Sequence, residues 1–325
     1  MSPDLAAMLR LDPDALPPVE GRSAFYDDVM RGLTLRQKTL PAKYFYDTEG
    51  SRLFDRICEL PEYYPTRTEI GILRDHADDI AAFAGEKAAL IEFGSGSSTK
   101  VRLLLGAMRH PAYVPIDISG EHMIEAVERL RLDYPDVPMH PVETDFTQDA
   151  ALPTIISGRR RIGFFPGSTI GNFTPDQAEA FLRRAAGTLG AGAGFVVGVD
   201  LKKDPAVLHA AYNDRQGVTA AFNLNLLARI NRELHGEIDL AHFRHLAFYN
   251  AAAGRVEMHI ESLKRQRVRI AGDMFAFRNG ETIHTENSCK YAVDEFQALA
   301  KRAGWHPEVC FTDADKLFSV HLLAR

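Results

Sequence analysis

The run Glu92-Phe93-Gly94-Ser95-Gly96 places two glycines where an apolar stretch gives way to a helical pattern. At such a junction glycine lets the backbone pass close to a ligand, and the helix start offers unpaired N–H groups. Alone, Gly-x-Gly says little. Asp117, however, ends the next apolar run about twenty positions on, where a carboxylate can accept hydrogen bonds from both hydroxyls of a ribose. The competing reading of Asp117 is a helix N-cap with no ligand. Asp145-Phe146 closes a third run, a pair able to bond an adenine amino group through the carboxylate and cover the ring with the phenyl. A dinucleotide fingerprint wants a third glycine where this chain has Thr99, so the set favours S-adenosylmethionine over a nicotinamide cofactor.

Positioning these residues requires strands that end side by side. From Leu73 to Leu201 short apolar runs alternate with helical-period segments, which predicts a doubly wound α/β sheet. Strands are expected at residues 88–93, 113–118, up to Asp145, 161–165 and 195–199. Past Asp200 a helix over 218–234 leads to the alternating stretches Val256–Ile260 and Phe318–Leu322, which read as half-buried antiparallel strands of a second, α+β domain. The aromatic segment Tyr44 to Arg67 fits either domain.

Bulk properties narrow the partners. A chain of 325 residues allows about two domains, and a net charge of -6 without a basic stripe excludes a nucleic-acid partner. Cys58, Cys289 and Cys310 are odd in number and far apart, which gives no disulfide framework and suits a reducing compartment. The N-terminal sixteen residues carry Asp4, Asp12 and Asp14 rather than a secretory signal, and no apolar run approaches a membrane span. A cytoplasmic location without membrane attachment is therefore expected. His235, His242 and His245 lack the companions of a zinc site, so no metal is expected.

The fourth strand runs into Gly167-Ser168-Thr169-Ile170-Gly171-Asn172-Phe173, a small-residue loop at the carboxyl edge of the sheet. With Lys43-Tyr44-Phe45-Tyr46-Asp47, Leu60 to Arg67, Glu92 to Lys100, Tyr212, Gly217 to Asn223 and Glu286-Asn287-Ser288-Cys289-Lys290, it resembles the histidine-specific methyltransferases of ergothioneine biosynthesis. The resemblance runs from about residue 20 to the end.

It implies a monomeric enzyme that trimethylates the α-amino group of L-histidine to hercynine. A Rossmann-like S-adenosylmethionine-dependent methyltransferase domain would span residues 65–200, and a discontinuous substrate-binding domain residues 20–64 and 201–325. Asn172 and Tyr212 would hold the substrate carboxylate; Gly167 and Tyr46 would line the amino site. Tyr63, Glu286 and Ser288 would hold the imidazole, with Met258 packed against it. Gly94, Lys100, Asp117, Asp145 and Phe146 fall at the family's cofactor positions, beside Ser95 and Gly96 of the glycine turn. Asn287 departs from the pattern, standing where an apolar residue is expected.

The residues support the imidazole pocket independently. On an extended segment Glu286 and Ser288 share a face, and a carboxylate plus a hydroxyl can satisfy the one N–H and the one bare nitrogen of a neutral imidazole. The plain alternative is a surface glutamate with a solvated serine. Core packing explains Met258 equally well, because it shares a strand face with Val256 and Ile260. Methyl transfer from a sulfonium is mainly a matter of alignment, for which Tyr46 is the candidate to orient the amine and relay its proton. Tyr46 and Phe45 are the candidate faces for the cationic product. A relative acting on an aromatic amino acid is the alternative, disfavoured because Glu286 would then face an apolar ring unpaired.

Overall fold

The computed structural model describes residues 23–325 apart from Ser97, Ser119 and Asp149; the acidic N-terminal segment and residues 20–22 lie outside the described residues. Ser23 caps α1 (Ala24–Thr34) and Asp47 caps α2 (Thr48–Glu59), each side chain accepting a backbone N–H of the first turn. Between them lies β1 (Lys38–Thr39). α3 (Tyr64–Asp75) and α4 (Ala77–Ala84) lead into β2 (Ala89–Phe93). Alternation follows: α5 (Thr99–Ala107), β3 (Ala112–Asp117), α6 (Gly120–Asp133), β4 (Val142–Glu143), β5 (Arg161–Phe165), α7 (Pro175–Leu189) and β6 (Gly194–Asp200). Then come α8 (Pro205–Tyr212), α9 (Val218–Glu233), β7 (Phe243–Asn250), β8 (Arg255–Ser262), β9 (Gln266–Ile270) and β10 (Asp273–Phe277). β11 (Thr282–Cys289), α10 (Val293–Arg302), β12 (His306–Thr312) and β13 (Phe318–Ala324) complete the chain.

A seven-stranded sheet has the order β12-β13-β6-β5-β2-β3-β4. Its strands are parallel from β6 to β4, while β13 is antiparallel to both β6 and β12. Every residue of β2 and β6 is buried, as continuous apolar runs predict for strands covered on both sides. Val101, Leu104 and Leu130 belong to the core on one side, Phe181, Phe296 and Trp305 to the core on the other. The chain winds from β2 out to β4, then lays β5 and β6 on the other flank of β2. That reversal opens a crevice beyond the carboxyl ends of β2 and β5, the place where an open α/β sheet takes its ligand.

A second sheet, β1-β11-β8-β7, is four-stranded, and β9 with β10 forms a separate hairpin. Its core contains Val29, Leu53, Phe222, Leu226, Met258 and Ile260. Along α9 the buried positions Val218, Phe222, Leu226 and Ile230 recur at intervals of four, which turns one stripe of the helix onto this core.

Two expectations change. Phe318–Leu322 is not a half-buried strand of the second unit but lies within β13, buried between β6 and β12 in the large sheet. The polar positions that suggested a wet face, Ser319 and His321, are 0% exposed; Ser319 Oγ and His321 Nε2 bond each other at 3.0 Å, and Ser319 also donates to the Val199 carbonyl. The third strand, expected to reach Asp145, stops at Glu143. Among the described residues no helix is long and apolar enough to cross a membrane.

Candidate active site

At the end of β2 the chain turns through Gly94 and Gly96, whose φ angles of 76° and 33° favour glycine. A Cβ on Gly94 would lie 3.3 Å from the Phe146 ring, so the turn and Phe146 close on each other. Lys100, in the first turn of α5, pairs with the buried Glu69 of α3 at 2.6 Å. The same carboxylate accepts the N–H of Gly167 at 2.9 Å. This arrangement needs Gly198, where a Cβ would lie 2.1 Å from a Glu69 oxygen. The Ser95 hydroxyl is buried and has no hydrogen-bond partner among the described residues. An orphaned hydroxyl beside a glycine turn and a lysine fits a polar ligand with an anionic end. Asp117 faces this turn, its carboxylate 3.5 Å from the Gly96 nitrogen. Asp145 turns one carboxylate oxygen inward to the backbone N–H and hydroxyl of Thr147, at 2.9 and 2.6 Å, a local turn that fixes its position.

Asp117→Ala should therefore weaken nucleoside-cofactor binding about ten- to a hundredfold, because a charge-assisted hydrogen bond contributes roughly 1.5–3 kcal/mol. Calorimetry on the folded variant checks this; unchanged affinity would remove Asp117 from the site.

Across the crevice, the short helical turn Ala42–Phe45 delivers Tyr46. Its ring meets Phe54 and Phe222 edge-on at 5.6 and 5.8 Å, and Tyr63 follows with rings 6.4 Å from both Phe54 and Tyr212. Burial first, then the charges of Glu286, Cys58 and Asp117, push the Tyr46 phenol well above its usual range. That phenol thus feels the charges of both Asp117 and Glu286. Phe45 does not share this place. It is fully buried and stacked on Phe222 at 4.5 Å, which removes it as a face for a cationic product.

Glu286 owes its direction to a bulge. The register of β11 against β8 shifts between His284 and Glu286, and Thr285, the extra residue, is pinned by Asn223 Oδ1 at 2.8 Å and the Met258 carbonyl at 3.0 Å. Past the bulge Glu286 pairs with Met258 and Ser288 with Val256, so these four side chains share a face. Burial raises the Glu286 carboxyl to about 7, against the pull of Lys290.

Behind Ser288 lies a buried ionic network that sequence reasoning missed. Lys290 donates to Ser288 Oγ at 2.7 Å and Tyr212 Oη at 3.1 Å, and pairs with Asp200 at 2.6 Å. Tyr212 in turn donates to Ser288 Oγ at 2.7 Å. Asp200 also holds Lys203 at 2.5 Å and the Tyr64 hydroxyl at 2.7 Å, while its backbone N–H bonds Ser168 of the Gly167 loop at 2.9 Å. The loop approaches β11 closely, since a Cβ on Gly171 would lie 2.8 Å from the Cys289 carbonyl oxygen. Asn172 ends this loop's helical turn, Thr169–Asn172.

A profile of the family described as histidine-specific methyltransferase, SAM-dependent, matches residues 25–325. The chain belongs to this family. It is 42% identical to the histidine N-alpha-methyltransferase of Mycobacterium tuberculosis, over 94% of this chain and 96% of the relative. The ergothioneine biosynthesis protein 1 of Neurospora crassa is 32% identical over 89% of this chain and 33% of its own length. The 4-dimethylallyltryptophan N-methyltransferase of Aspergillus fumigatus is 29% identical over 90% of this chain and 91% of its own. As a member of this S-adenosylmethionine-dependent family the protein is an α/β methyltransferase, and its cofactor is the one whose nucleoside the first three strand ends suggest.

Of the histidines expected to hold no metal, His245 is engaged by Asn223 and the Tyr212 carbonyl, both at 2.9 Å. Elsewhere Glu257, His259 and His284 bring ligand-type atoms within 4.8 Å of one another, but Glu257 already carries Arg255 at 2.8 Å as its counter-charge.

Proposed function

We propose that the protein transfers methyl groups from S-adenosylmethionine to the α-amino nitrogen of L-histidine until hercynine is formed, a step of ergothioneine biosynthesis. The observation that carries this reading is Glu286, whose carboxyl is raised to about 7 by burial, beside Ser288 and opposite Met258 on one strand face. A neutral imidazole offers what that face lacks: an N–H for the carboxylate and a bare nitrogen for the hydroxyl. Incubation with S-adenosylmethionine and each of the twenty amino acids, read by mass spectrometry, tests it. Gains of one, two and three methyl groups are expected on histidine; methylation of another amino acid in preference would overturn it.

When bound, S-adenosylmethionine supplies an activated methyl group on sulfur. Gly94, Ser95, Gly96, Lys100, Asp117, Asp145 and Phe146 would hold it. Asn172 and Tyr212 would clamp the substrate carboxylate, Gly167 and Tyr46 would line the amino group, and Tyr63 and Met258 would wall the ring. Because burial keeps the Tyr46 phenol protonated, its part is to orient the neutral amine and pass a proton on, not to act as a phenolate base. Tyr46 and Tyr63 leave aromatic faces for the cationic product.

In place of the expected 201–325, the strand pairing supports moving residues 293–325, which carry β12 and β13 of the large sheet, to the cofactor-carrying part with residues 65–200, leaving residues 23–64 and 201–292 for the amino acid. Three free cysteines suit a reducing, cytoplasmic setting.

Histamine should be a poor substrate, since losing the carboxylate leaves the clamp's donors unpaired. Turnover of histamine comparable to that of histidine would contradict the assignment of Asn172 and Tyr212. The second reading, an aromatic amino acid as substrate, draws on the likeness to the dimethylallyltryptophan enzyme. Glu286 opposes it, because an apolar ring would strand its carboxylate.

A further inference from the structure

The buried network contains more cation than anion. Asp200 carries one negative charge, Lys203 and Lys290 carry two positive ones, and the remaining side-chain partners, Tyr64, Tyr212 and Ser288, are neutral hydroxyls. The Lys290 side chain is 0% exposed and that of Asp200 1%. With three donors and three partners, Asp200, Ser288 and Tyr212, the ammonium is fully used and cannot turn to another group.

A cation donating to two hydroxyl oxygens orients both. It occupies a lone pair on each and repels each hydroxyl proton, so those protons point away from Lys290. In the structure the Tyr212 proton rests on Ser288 Oγ, whose two lone pairs are then taken by Lys290 and Tyr212. The Ser288 proton is left to leave the network on the side shared with Glu286 and Met258.

We propose that Lys290, anchored by Asp200, is a positioning residue that, together with the Tyr212 hydroxyl donated to Ser288, makes Ser288 a hydrogen-bond donor toward the amino-acid site, selecting a bare ring nitrogen. The inference rests on the reading of Glu286 and Ser288 as the imidazole pocket. Glu286 is the acceptor of that pocket and Ser288 its donor, so the ring is taken as a neutral imidazole in one tautomer, N–H toward Glu286.

Lys290→Met leaves Asp200 and Lys203 as a neutral pair, and it frees Ser288 to turn its proton back to Tyr212. Affinity would be measured by calorimetry, with cofactor present, for histidine and two analogues, each taken as the better-binding regioisomer. A pyrrolylalanine keeps the ring N–H and loses the bare nitrogen; a thiazolylalanine keeps the bare nitrogen and loses the N–H. The parent protein should disfavour the pyrrole about ten- to a hundredfold relative to histidine, because it strands a buried donor. In Lys290→Met that ratio should collapse to about threefold or less, while the thiazole, whose ratio reads Glu286, stays clearly disfavoured against histidine. A merely structural role would weaken all three ligands in parallel, and that result overturns the proposal. Failure of the parent to bind histidine at all would overturn the functional reading and this inference with it. Should the variant not fold, histidine with isotope-labelled ring nitrogens bound to the parent decides by NMR. One neutral tautomer is expected near neutral pH, and an imidazolium or an even mixture of tautomers would refute the assignment.

Discussion

Glu286→Ala combined with Met258→Val should shift the ratio of kcat/KM values at least about a hundredfold from histidine toward tryptophan or phenylalanine. The two residues are cross-strand partners on β11 and β8, so shortening both opens one continuous space rather than two small voids. Removing the carboxylate takes a charged acceptor from the imidazole N–H, a loss of roughly 1.5–3 kcal/mol for histidine. It also removes the carboxylate that an indole or phenyl ring would leave unpaired, a relief of similar size for the aromatic substrate. Both effects enter the same ratio, because specificity compares transition-state binding of two substrates in one pocket. A variant that folds, binds cofactor as the parent does and keeps the parent's preference for histidine would require the pocket to be redrawn without Glu286.

Much of this pocket is legible in the sequence because it depends on short-range periodicity. Glu286 and Ser288 share a face by strand alternation, and the bulge at Thr285 precedes them both, so it changes how they meet Met258 without separating them. The β2 turn and Asp117 are equally local: each is a strand end followed by a helix, and the sheet order brings the ends together. Phe45 went astray for a related reason. It is adjacent in sequence to Tyr46, but the turn over Ala42–Phe45 drives its ring into the core against Phe222 while Tyr46 remains partly exposed.

What periodicity cannot reveal is pairing between polar residues that are far apart along the chain. Asp200, Lys203, Tyr64 and Lys290 read singly as a strand end, a surface lysine, a core tyrosine and a residue just past β11. Their meaning depends on β6 and β11 ending beside each other, joined by the bridge between Leu201 and Tyr291. Glu69 is similar, since its burial is made possible by the missing side chain of Gly198 on a strand more than a hundred residues away. Ser319 and His321 show the same limit inside one strand, where two buried polar side chains bonded to each other mimic the alternation of a wet face.

Glu286→Gln should stabilise the ligand-free protein, and only at the higher end of the pH range. Burial moves the carboxyl from its ordinary 4.5 to about 7, so between these values the folded protein holds a proton that the unfolded chain has released. A carboxyl whose pKa is raised by folding in this way lowers stability as pH rises through the window. Below pH 4.5 both states are protonated and the penalty vanishes; above about pH 7 it is complete. At about 1.4 kcal/mol per pH unit it is bounded at about 3.5 kcal/mol, and the accessible surface that Glu286 retains brings it below that bound. Glutamine keeps the shape and an acceptor oxygen but carries no charge. Denaturant unfolding of parent and variant at about pH 4 and about pH 8 should show nearly equal stabilities at the first and a gain of about 1–3 kcal/mol for the variant at the second. Saturating histidine should narrow the difference at the higher pH, because its ring N–H gives the parent carboxylate the partner it lacks when empty. A variant no more stable than the parent at the higher pH would mean that the Glu286 charge is already well solvated, and a solvated carboxylate could not exclude apolar rings from the pocket.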